Sequence, residues 1–545
     1  MIRRAALLLM IGAATALAFG CESGDHDPSA DSGPGDDDAD DGAADDDVDD
    51  DASPDIAYPF PDGFLFGTAS AGFQHEMGCP TLPDDECADR GSDWYAYMVA
   101  DETRAMARTF LSGEDPAVIA PGQWELYERD FDLIASDLSG NAYRLGVEWS
   151  RIFPTSTVGI EGFEALRAVA NAAAIDHYHD LFAAMRERGL TPVVTLNHYT
   201  LPLWIHDGVD CTVDLASCSP RGWLDPDLIV PEIAKYAGFV AREFGADVDW
   251  WLTLNEPISV LLPGFLLPTP DRTNPPAAIL DGDSFVLATE TMIEAHARMV
   301  DAVREADAED ADGDGVNEQV GLVYNMAPVR AMDETNPLDV QAAENIFYLW
   351  NLLVMDGVGL GLWDDDLDGQ GEVREDWTDR LDFWGLNYYV RITVEGLPFS
   401  LLPGTTPLLT LNPLTVVFDE VYPRGLYETT LYMTERYHVP IFITENNAGM
   451  IAKNRVDLET RYLVEYLSWL SRAIRDGADI RGYFYWSLID NIEWNKGSTF
   501  PVGLFAVDAA DPSKPRTPRE IVDVYARIAA TGGVGRDLAV AYPID

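Results

Sequence analysis

Cationic residues are scarce in this chain of 545 residues. Lysine and arginine together number 35, against 94 aspartates and glutamates, and the formal net charge at pH 7 is −59. No basic stripe could offset that charge, so the composition excludes a nucleic-acid partner. Lysine is rare even among the few cations, and a surface this acidic indicates solubility in a saline setting.

Long hydrophobic runs are also lacking. One apolar run, residues 5–20, follows the charged start Met1-Ile2-Arg3-Arg4. This run is shorter than a typical membrane-spanning helix, and it predicts a signal peptide over residues 1–21. The run ends in LAFGC, which is similar to the cleavage box of bacterial lipoproteins, where the cysteine (here Cys21) is lipidated. We expect export and a membrane anchor through Cys21 alone, in the periplasm or at the cell surface. Plain secretion is the alternative, since Phe19 replaces the usual small residue.

Cysteine is the next scarce residue, with five in the chain. With Cys21 set aside, four remain as two close pairs, Cys79 with Cys87 and Cys211 with Cys218. Short local loops in an oxidising compartment favour two disulfide bonds. A four-cysteine zinc site is the rival interpretation, but the pairs lack CxxC spacing and lie in separate loops.

Residues 22–57 contain almost nothing apolar. Asp, Ala, Gly, Ser and Pro dominate, with aspartate triplets at 36–38 and 45–47. Such a segment cannot bury enough surface to fold, and its charges repel one another. We therefore expect a disordered acidic spacer that leads into a single folded domain over residues 58–545.

Two short apolar stretches within that domain end in a glutamate. Residues 439–447, VPIFITENN, show no alternation of polar and apolar side chains, which is typical of a strand buried on both faces. Their carboxylate is Glu445. Residues 250–257, WWLTLNEP, end in the same way at Glu256. A single glutamate at the end of a strand is most simply explained as a charge that faces solvent. Two such glutamates at the C-terminal rim of one α/β barrel, however, are the pair of carboxylates that glycoside hydrolysis requires.

Eight short apolar stretches alternate with helical patterns along the domain. This alternation predicts a (β/α)8 TIM barrel, with Glu256 on the fourth strand and Glu445 on the seventh. The stretches span residues 64–74, 141–152, 192–199, 250–257, 320–325, 381–389, 439–447 and 480–488.

From about Tyr58 to the end, the chain resembles glycoside hydrolase family 1, the family of β-glucosidases and β-galactosidases. Residues 253–257, TLNEP, are similar to its acid/base signature, and residues 443–446, ITEN, to its nucleophile signature. The opening FPDGF at 60–64 and WSLIDNIEW at 486–494 match as well. VEWSRI at 147–152 and LPLW at 201–204 are most similar to the archaeal β-glycosidases.

The resemblance implies a role for each residue of a sugar site. It implies sugar binding by Gln74, His198, Asn255, Glu493 and Trp494, and a stacking platform at Trp486. It also implies that Arg144 and Tyr389 contact the nucleophile and that Asn387 lies beside it. Without the family, Trp486 is equally well a core residue and His198 a satisfied strand-end histidine.

The two glutamates together imply a retaining mechanism. We expect their carboxyl groups to lie about 5 Å apart, the separation for retention. Glu445 is the expected nucleophile, with its pKa held down by Arg144 and Tyr389. Glu256 is the expected general acid and then general base, and Asn255 is expected to bind the sugar 2-hydroxyl. The expected substrates are terminal, non-reducing β-D-glucosides, together with β-D-galactosides and β-D-fucosides. No cofactor is required.

The alternatives on the same fold are an enzyme that acts on phosphorylated sugars and a receptor that binds sugar without catalysis. A 6-phospho-β-glycosidase would replace Glu493, whose carboxylate repels phosphate. A catalytically dead sugar receptor would be expected to have lost one glutamate, and both Glu256 and Glu445 are present. Two departures from the family pattern concern the site: Asn447 stands in place of a glycine, and Ile258 in place of an aromatic residue.

Two aspartate-rich loops resemble calcium-binding loops of the EF-hand type. Asp364, Asp366, Asp368 and Glu375 occupy loop positions one, three, five and twelve. The stretch 310–315, DADGDG, repeats the beginning of the pattern less completely. In so acidic a chain we interpret both as solvated loops, with structural calcium as the alternative.

Overall fold

The computed structural model of this protein describes residues 55–402, 409–447 and 456–544. The predicted signal peptide, the lipidation at Cys21 and most of the predicted spacer lie outside the described residues. Ile56 and Ala57 were predicted to belong to the spacer, but they lie in a strand, Ile56–Pro59. This strand pairs antiparallel with Gly533–Gly535 near the other end of the chain.

Eight parallel strands form a closed barrel, which confirms the predicted (β/α)8 fold. Each strand pairs with its neighbours in sequence, and the eighth pairs with the first. The barrel strands are Leu65–Ala69 (β1), Ala142–Gly146 (β2), Thr191–Asn197 (β3), Trp250–Asn255 (β4), Gln319–Asn325 (β5), Phe383–Tyr388 (β6), Ile441–Asn446 (β7) and Ile480–Trp486 (β8).

One principal helix follows each strand. These helices are Gln123–Asp132 (α1), Ala172–Glu187 (α2), Pro226–Phe244 (α3), Gly282–Ala306 (α4), Pro337–Phe347 (α5), Pro423–Tyr437 (α6), Val456–Arg475 (α7) and Ile521–Thr531 (α8). Their beginnings follow ordinary capping chemistry. The Asn171 and Asn336 side chains accept from the first free amides of α2 and α5, and Pro337 is the first residue of α5.

Shorter elements fill the loops. The helical ones are Gly72–His75, Asp84–Cys87, Asp93–Val99, Asp101–Arg104, Pro116–Ile119, Leu133–Asp137, Trp149–Ile152, Phe163–Val169, Gly208–Val213, Gly222–Leu224, Pro257–Leu261, Leu262–Leu266, Tyr348–Leu352, Leu353–Leu360, Trp494–Thr499 and Arg536–Ala541. Small sheets are formed by Val329–Ala331 with Arg391–Val394 and Val417–Glu420, by Leu362–Trp363 with Glu372–Val373, and by Phe505–Ala506 with Thr517–Pro518.

The barrel interior is apolar toward the N-terminal ends of the strands. Trp250, the first residue of β4, packs edge-on against Phe383 and Phe442 at ring-centroid distances of 5.2 and 4.9 Å. Further along the strands the interior becomes polar, because β2 contributes the fully buried Arg144 and β6 the fully buried Asn387. The apolar end therefore closes the barrel and the polar end carries the site.

Both predicted disulfide bonds are present, which confirms the cysteine pairing. Cys79 is bonded to Cys87 in the loop after β1, and Cys211 to Cys218 in the loop after β3. Within the part of the chain that the structure describes, no helix has the length and apolar character needed to cross a membrane.

Candidate active site

Glu256 and Glu445 line the same cavity at the C-terminal ends of the barrel strands. Glu445 is the fifth residue of β7, and Glu256 follows β4 directly, with a backbone φ of 43°. Both side chains are about 95% buried, with exposed fractions of 4% and 5%. The cavity has a volume of about 830 Å3 and is also lined by Gln74, His198 and Trp486. The barrel thus brings two glutamates 189 residues apart to one surface.

A continuous chain of hydrogen bonds joins the two carboxylates. Arg144 donates from Nη1 to Glu445 Oε1 at 2.6 Å and from Nη2 to Asn255 Oδ1 at 2.7 Å. Asn387 donates from Nδ2 to the same Asn255 oxygen at 3.3 Å and to Glu256 Oε1 at 2.6 Å. Strands β2, β4, β6 and β7 each contribute to this chain, so the closure of the barrel sets the relative position of the carboxylates.

Burial outweighs the groups that favour ionised Glu445. Arg144 and the hydroxyl of Tyr389, which donates to Glu445 Oε2 at 2.5 Å, both lower the pKa of Glu445. Loss of hydration and the charge of Glu256 act in the opposite direction, and together they raise the pKa of Glu445 to about 7. The expectation of a depressed pKa was therefore wrong, because desolvation is the larger effect.

Two donors hold Glu256 in place. Asn387 contacts Oε1, as described above, and the hydroxyl of Tyr199 donates to Oε2 at 2.5 Å. Asn387 lies opposite Glu445 in the β6–β7 register, as expected, but its amide donates to Glu256 instead. Each carboxylate therefore has one tyrosine hydroxyl of its own: Tyr199 for Glu256 and Tyr389 for Glu445.

Aromatic rings form one side of the cavity floor. The imidazole of His198 is nearly parallel to the rings of Trp486 and Trp494, at centroid distances of 5.8 and 5.9 Å. Trp494 also stacks on Phe73 at 5.8 Å. Trp486 and Trp494 line the cavity, and indole rings are of the kind that pack against a sugar ring.

Three buried polar atoms in the cavity wall have no hydrogen-bond partner among the described residues: Arg272 Nε, Gln74 Oε1 and His198 Nδ1. Gln74 and His198 are each held at their other end, since Gln74 Nε2 donates to the Ile492 carbonyl at 2.7 Å and His198 Nε2 lies 3.2 Å from Asn255 Nδ2. Buried polar atoms are almost always paired. Gln74 Oε1 and His198 Nδ1 are therefore oriented to meet polar groups of a ligand.

A cluster of charged side chains surrounds Glu493 in the cavity lining. Arg272 lies 3.7 Å from Glu493 and over the rings of Tyr199 and Trp494, at 4.9 and 5.0 Å from their centroids. Lys496 lies 3.3 Å from Asp271. Burial raises the pKa of Glu493, and the charges of Arg272 and Lys496 partly counter that shift. Both cations near Glu493 thus have carboxylate partners.

Sequence reasoning missed Tyr199, Arg272 and Glu148. Glu148 is buried outside the cavity lining and accepts from the Phe73 amide at 3.0 Å and the Thr200 hydroxyl at 2.7 Å. It therefore fixes the segments that carry Gln74 and Tyr199. The adjacency of Tyr199 to His198 was the one available signal for that residue; Arg272 lies in an unpatterned loop.

The residues at which the chain departs from the family pattern also adjoin the site. Asn447 donates from its side-chain amide to the Trp486 carbonyl and so ties the end of β7 to the end of β8. Ile258 is fully buried and lines the cavity two residues after Glu256. The amide side chain of Asn447 thus links two strands, and the aliphatic side chain of Ile258 forms the cavity wall beside Glu256.

The structure groups the calcium-pattern residues differently from the sequence pattern. The carboxylates of Asp364, Asp366 and Asp368 lie within 4.8 Å of one another, but Glu375 is not in that group. In the second loop, Asp310 and Asp312 lie within the same distance of Asp249, which directly precedes β4, and Asp314 is not included.

Comparisons with known proteins agree on one family. The model of glycosyl hydrolase family 1 matches residues 56–534. A β-galactosidase of Pyrococcus woesei is 32% identical over 520 residues, which cover 88% of this chain and 98% of that protein. β-Glucosidase 6 of Oryza sativa is 30% identical, over 87% and 91%. The crystal structure of the β-glycosidase from Thermosphaera aggregans has a TM-score of 0.74 at 28% identity, over 89% and 100%.

Proposed function

Because the chain belongs to glycosyl hydrolase family 1, we propose that it is a retaining β-glycosidase acting on terminal, non-reducing β-D-glucosides and on the corresponding galactosides and fucosides. The observation that carries this proposal is the hydrogen-bonded chain from Glu445 through Arg144, Asn255 and Asn387 to Glu256. It holds two carboxylates in one cavity with separate sets of donors. Relatives named β-galactosidase and β-glucosidase support both glycones.

The reaction follows from the two positions as a double displacement. Glu445 attacks the anomeric carbon, the bond to the leaving oxygen breaks, and Glu256 gives its proton to that oxygen. The glycosyl ester carries no charge on Glu445. Glu256, now ionised, takes a proton from water, whose oxygen attacks the same carbon and releases the sugar with Glu445 regenerated. Anomeric configuration is inverted twice and therefore retained.

Residues around the carboxylates supply the remaining parts of the site. Asn255, held by Arg144, is in place to bind the sugar 2-hydroxyl, a contact that strengthens in the transition state. Gln74 Oε1 and His198 Nδ1 offer acceptor or donor sites to other hydroxyls, and Trp486 offers its ring face. Glu493, lying 3.7 Å from Arg272, disfavours a phosphorylated sugar. The presence of both Glu256 and Glu445 disfavours a dead receptor.

The proposed reaction calls for no cofactor, because the two carboxylates supply nucleophile, acid and base. We interpret the aspartate groups in the 310–315 and 364–375 loops as loop organisers. Asp249, for example, accepts from the amides of Ala311 and Asp312 at 2.9 and 2.7 Å. A calcium ion would have to compete with these donors.

Glu445→Ala and Glu256→Ala test the roles of the two glutamates. With dinitrophenyl β-glucoside, whose leaving group needs no proton, Glu256→Ala is expected to give a burst and then a slow steady state. Azide, which needs no deprotonation, is expected to speed that variant and yield β-glucosyl azide. General acid/base help is worth about 10²–10⁴-fold, so the effect is measurable. Glu445→Ala serves as the comparison and is expected to give no burst; a burst there and none from Glu256→Ala would overturn the assignment.

We also propose that the enzyme is exported and anchored through a lipid on Cys21. The lipoprotein-like sequence before Cys21 and the two disulfide bonds support an oxidising compartment. Membrane fractionation of the full chain and of Cys21→Ala tests this. We expect the wild type in the membrane fraction and the variant outside it; equal distribution of the two proteins would contradict the anchor.

A further inference from the structure

The cavity extends well beyond the residues that surround the two carboxylates. Its outer part is lined by two stretches of aliphatic and aromatic side chains. One follows β4 and includes Ile258, Leu262, Leu266 and Leu267. The other follows β6 and includes Ile392, Leu411, Val416 and Phe418. Since Ile258 lies two residues after Glu256, the first stretch begins on the side of the proposed general acid, where the leaving group departs.

Two further apolar side chains of the same lining are exposed, whereas Ile258, Leu266, Ile392 and Leu411 are buried. Leu414 is 47% exposed and Val417 is 37% exposed, and both belong to the lining. Trp350 extends the same surface, with its ring 5.9 Å from that of Phe418 and its indole N–H donated to the Asn325 carbonyl at 2.9 Å. An apolar cavity wall that reaches solvent beside a polar site is typical of a ligand-binding pocket.

The two cations of this lining each lie beside a carboxylate, although Arg272 Nε has no hydrogen-bond partner among the described residues. Arg272 lies beside Glu493 and Lys496 beside Asp271, as described above. A second sugar unit placed here would lose water from its hydroxyls and find few partners among the described residues. Each buried hydroxyl without a partner costs affinity. The lining therefore disfavours an oligosaccharide on the leaving-group side.

We propose that the leaving-group side of this cavity is built for an apolar aglycone, so that the natural substrate is a β-glycoside of a long alkyl or comparable lipid-like alcohol. This inference rests on the proposed β-glycosidase function and names its substrate class. The glycone binds beside the two carboxylates with Gln74, His198 and Trp486. The aglycone lies between the lining stretch after β4, which begins at Ile258, and the lining stretch after β6, which ends at Phe418.

The n-alkyl β-D-glucosides from ethyl to octyl provide the test, because the acidity of the leaving alcohol is nearly constant along the series. Along the series, the substrates therefore differ only in how much apolar surface the enzyme can remove from water. A fully buried methylene is worth about fourfold in kcat/KM. We expect kcat/KM of octyl glucoside, measured below its micelle concentration, to exceed that of ethyl glucoside by at least about 100-fold. We also expect it to exceed that of cellobiose.

A value of kcat/KM that does not change with alkyl chain length, or a higher kcat/KM for cellobiose than for octyl glucoside, would overturn the inference. β-Glucosyl fluoride separates this failure from failure of the proposed function, because it has no aglycone to bury. If the enzyme hydrolyses the fluoride and the alkyl series is flat, only the aglycone inference fails. If it hydrolyses neither the fluoride nor any glucoside, the proposed function fails as well.

Variants on both stretches check where the alkyl chain lies. Leu267→Gln and Val416→Asn place a polar group on half-buried lining positions after β4 and after β6. Each is expected to reduce the octyl-to-ethyl ratio at least about fivefold. Leu338→Gln is the matched control, since Leu338 is 43% exposed and lies outside the cavity lining, and it should keep the wild-type ratio. Unchanged ratios in both lining variants would contradict the proposed location.

Discussion

The hydroxyl of Tyr199 donates to Glu256 Oε2 at 2.5 Å. Tyr199 is 95% buried, with an exposed fraction of 5%, and its backbone φ is 73°. A non-glycine residue in this region is uncommon and typically serves a functional site. The left-handed backbone after β3 turns the tyrosine toward the end of β4, so that Glu256 has its own donor within the cavity.

Tyr199→Phe is expected to weaken the proton-transfer role of Glu256. A hydrogen bond to a charged group is worth about 1.5–3 kcal/mol, which corresponds to roughly 10–160-fold in kcat/KM for alkyl glucosides. The loss should be much smaller for the first step with dinitrophenyl glucoside, which needs no proton. Steady-state and burst kinetics on the two substrates measure the difference. An equal loss on both substrates would show that Tyr199 acts on binding instead.

The acid limb of the pH profile is expected near neutrality. Catalysis needs ionised Glu445, and burial raises the pKa of this carboxyl to about 7. The rate should therefore fall as pH drops through about 7, with kcat/KM reporting the free enzyme. Tyr389→Phe removes a donor that lowers this pKa, so its acid limb should shift to higher pH. An unshifted limb in the variant, with lower activity at all pH values, would contradict the assignment.

One site is expected to turn over β-glucosides and β-galactosides. Gln74, His198, Glu493 and Trp494 offer polar groups to sugar hydroxyls, and no device that excludes an axial 4-hydroxyl is evident among the described residues. Discrimination above roughly 10⁴-fold needs a dedicated polar group. We expect the ratio of kcat/KM for the two nitrophenyl glycosides to stay below that value. Each should inhibit hydrolysis of the other competitively; non-competitive inhibition would point to separate sites.

Glu148 is expected to make the free energy of unfolding depend on pH between about 4.5 and 8. Burial, together with the charges of Glu76 and Asp89, raises the pKa of Glu148 to about 8, against 4.5 for an ordinary glutamate. Between these pH values the folded state holds one more proton than the unfolded state. Its stability therefore falls as pH rises through this window, by at most about 1.4 kcal/mol per pH unit.

Glu148→Gln keeps the shape of the neutral carboxyl and removes this titration. The melting temperature of the variant relative to wild type should rise from pH 5 to pH 8 and level off above that. A constant difference between Glu148→Gln and wild type at every pH would contradict a raised pKa.

Calcium is expected to leave the melting temperature unchanged. Asp364 already accepts from the Tyr348 hydroxyl at 2.5 Å and from the amides of Asp368 and Gly369 at 3.0 and 2.7 Å. Glu375, the expected bidentate ligand, lies outside the group. Thermal melts with calcium and with a chelator test this. A rise with calcium that Asp364→Asn abolishes would establish a structural site and replace our interpretation.

The barrel could be predicted from the sequence because its determinants are local. Unbroken apolar runs such as residues 439–447 identify strands buried on both faces, and the glutamates that end two of these runs mark the C-terminal rim. The disulfide partners were predictable for the same reason, since Cys79 and Cys87, like Cys211 and Cys218, are close in sequence. The positions of Glu256 directly after the fourth strand and of Glu445 on the seventh follow from strand order.

Contacts between distant strands were decided only by the tertiary structure. The donation from Tyr199 to Glu256 depends on a left-handed turn after β3, and the ion pair of Arg272 with Glu493 joins loops that follow β4 and β8. The balance of effects on Glu445 also depends on packing: sequence identifies the cation that lowers its pKa, but not the depth of burial that raises it. Residue identity determines which groups are present, whereas barrel closure determines their distances and their access to water, on which electrostatic energies depend.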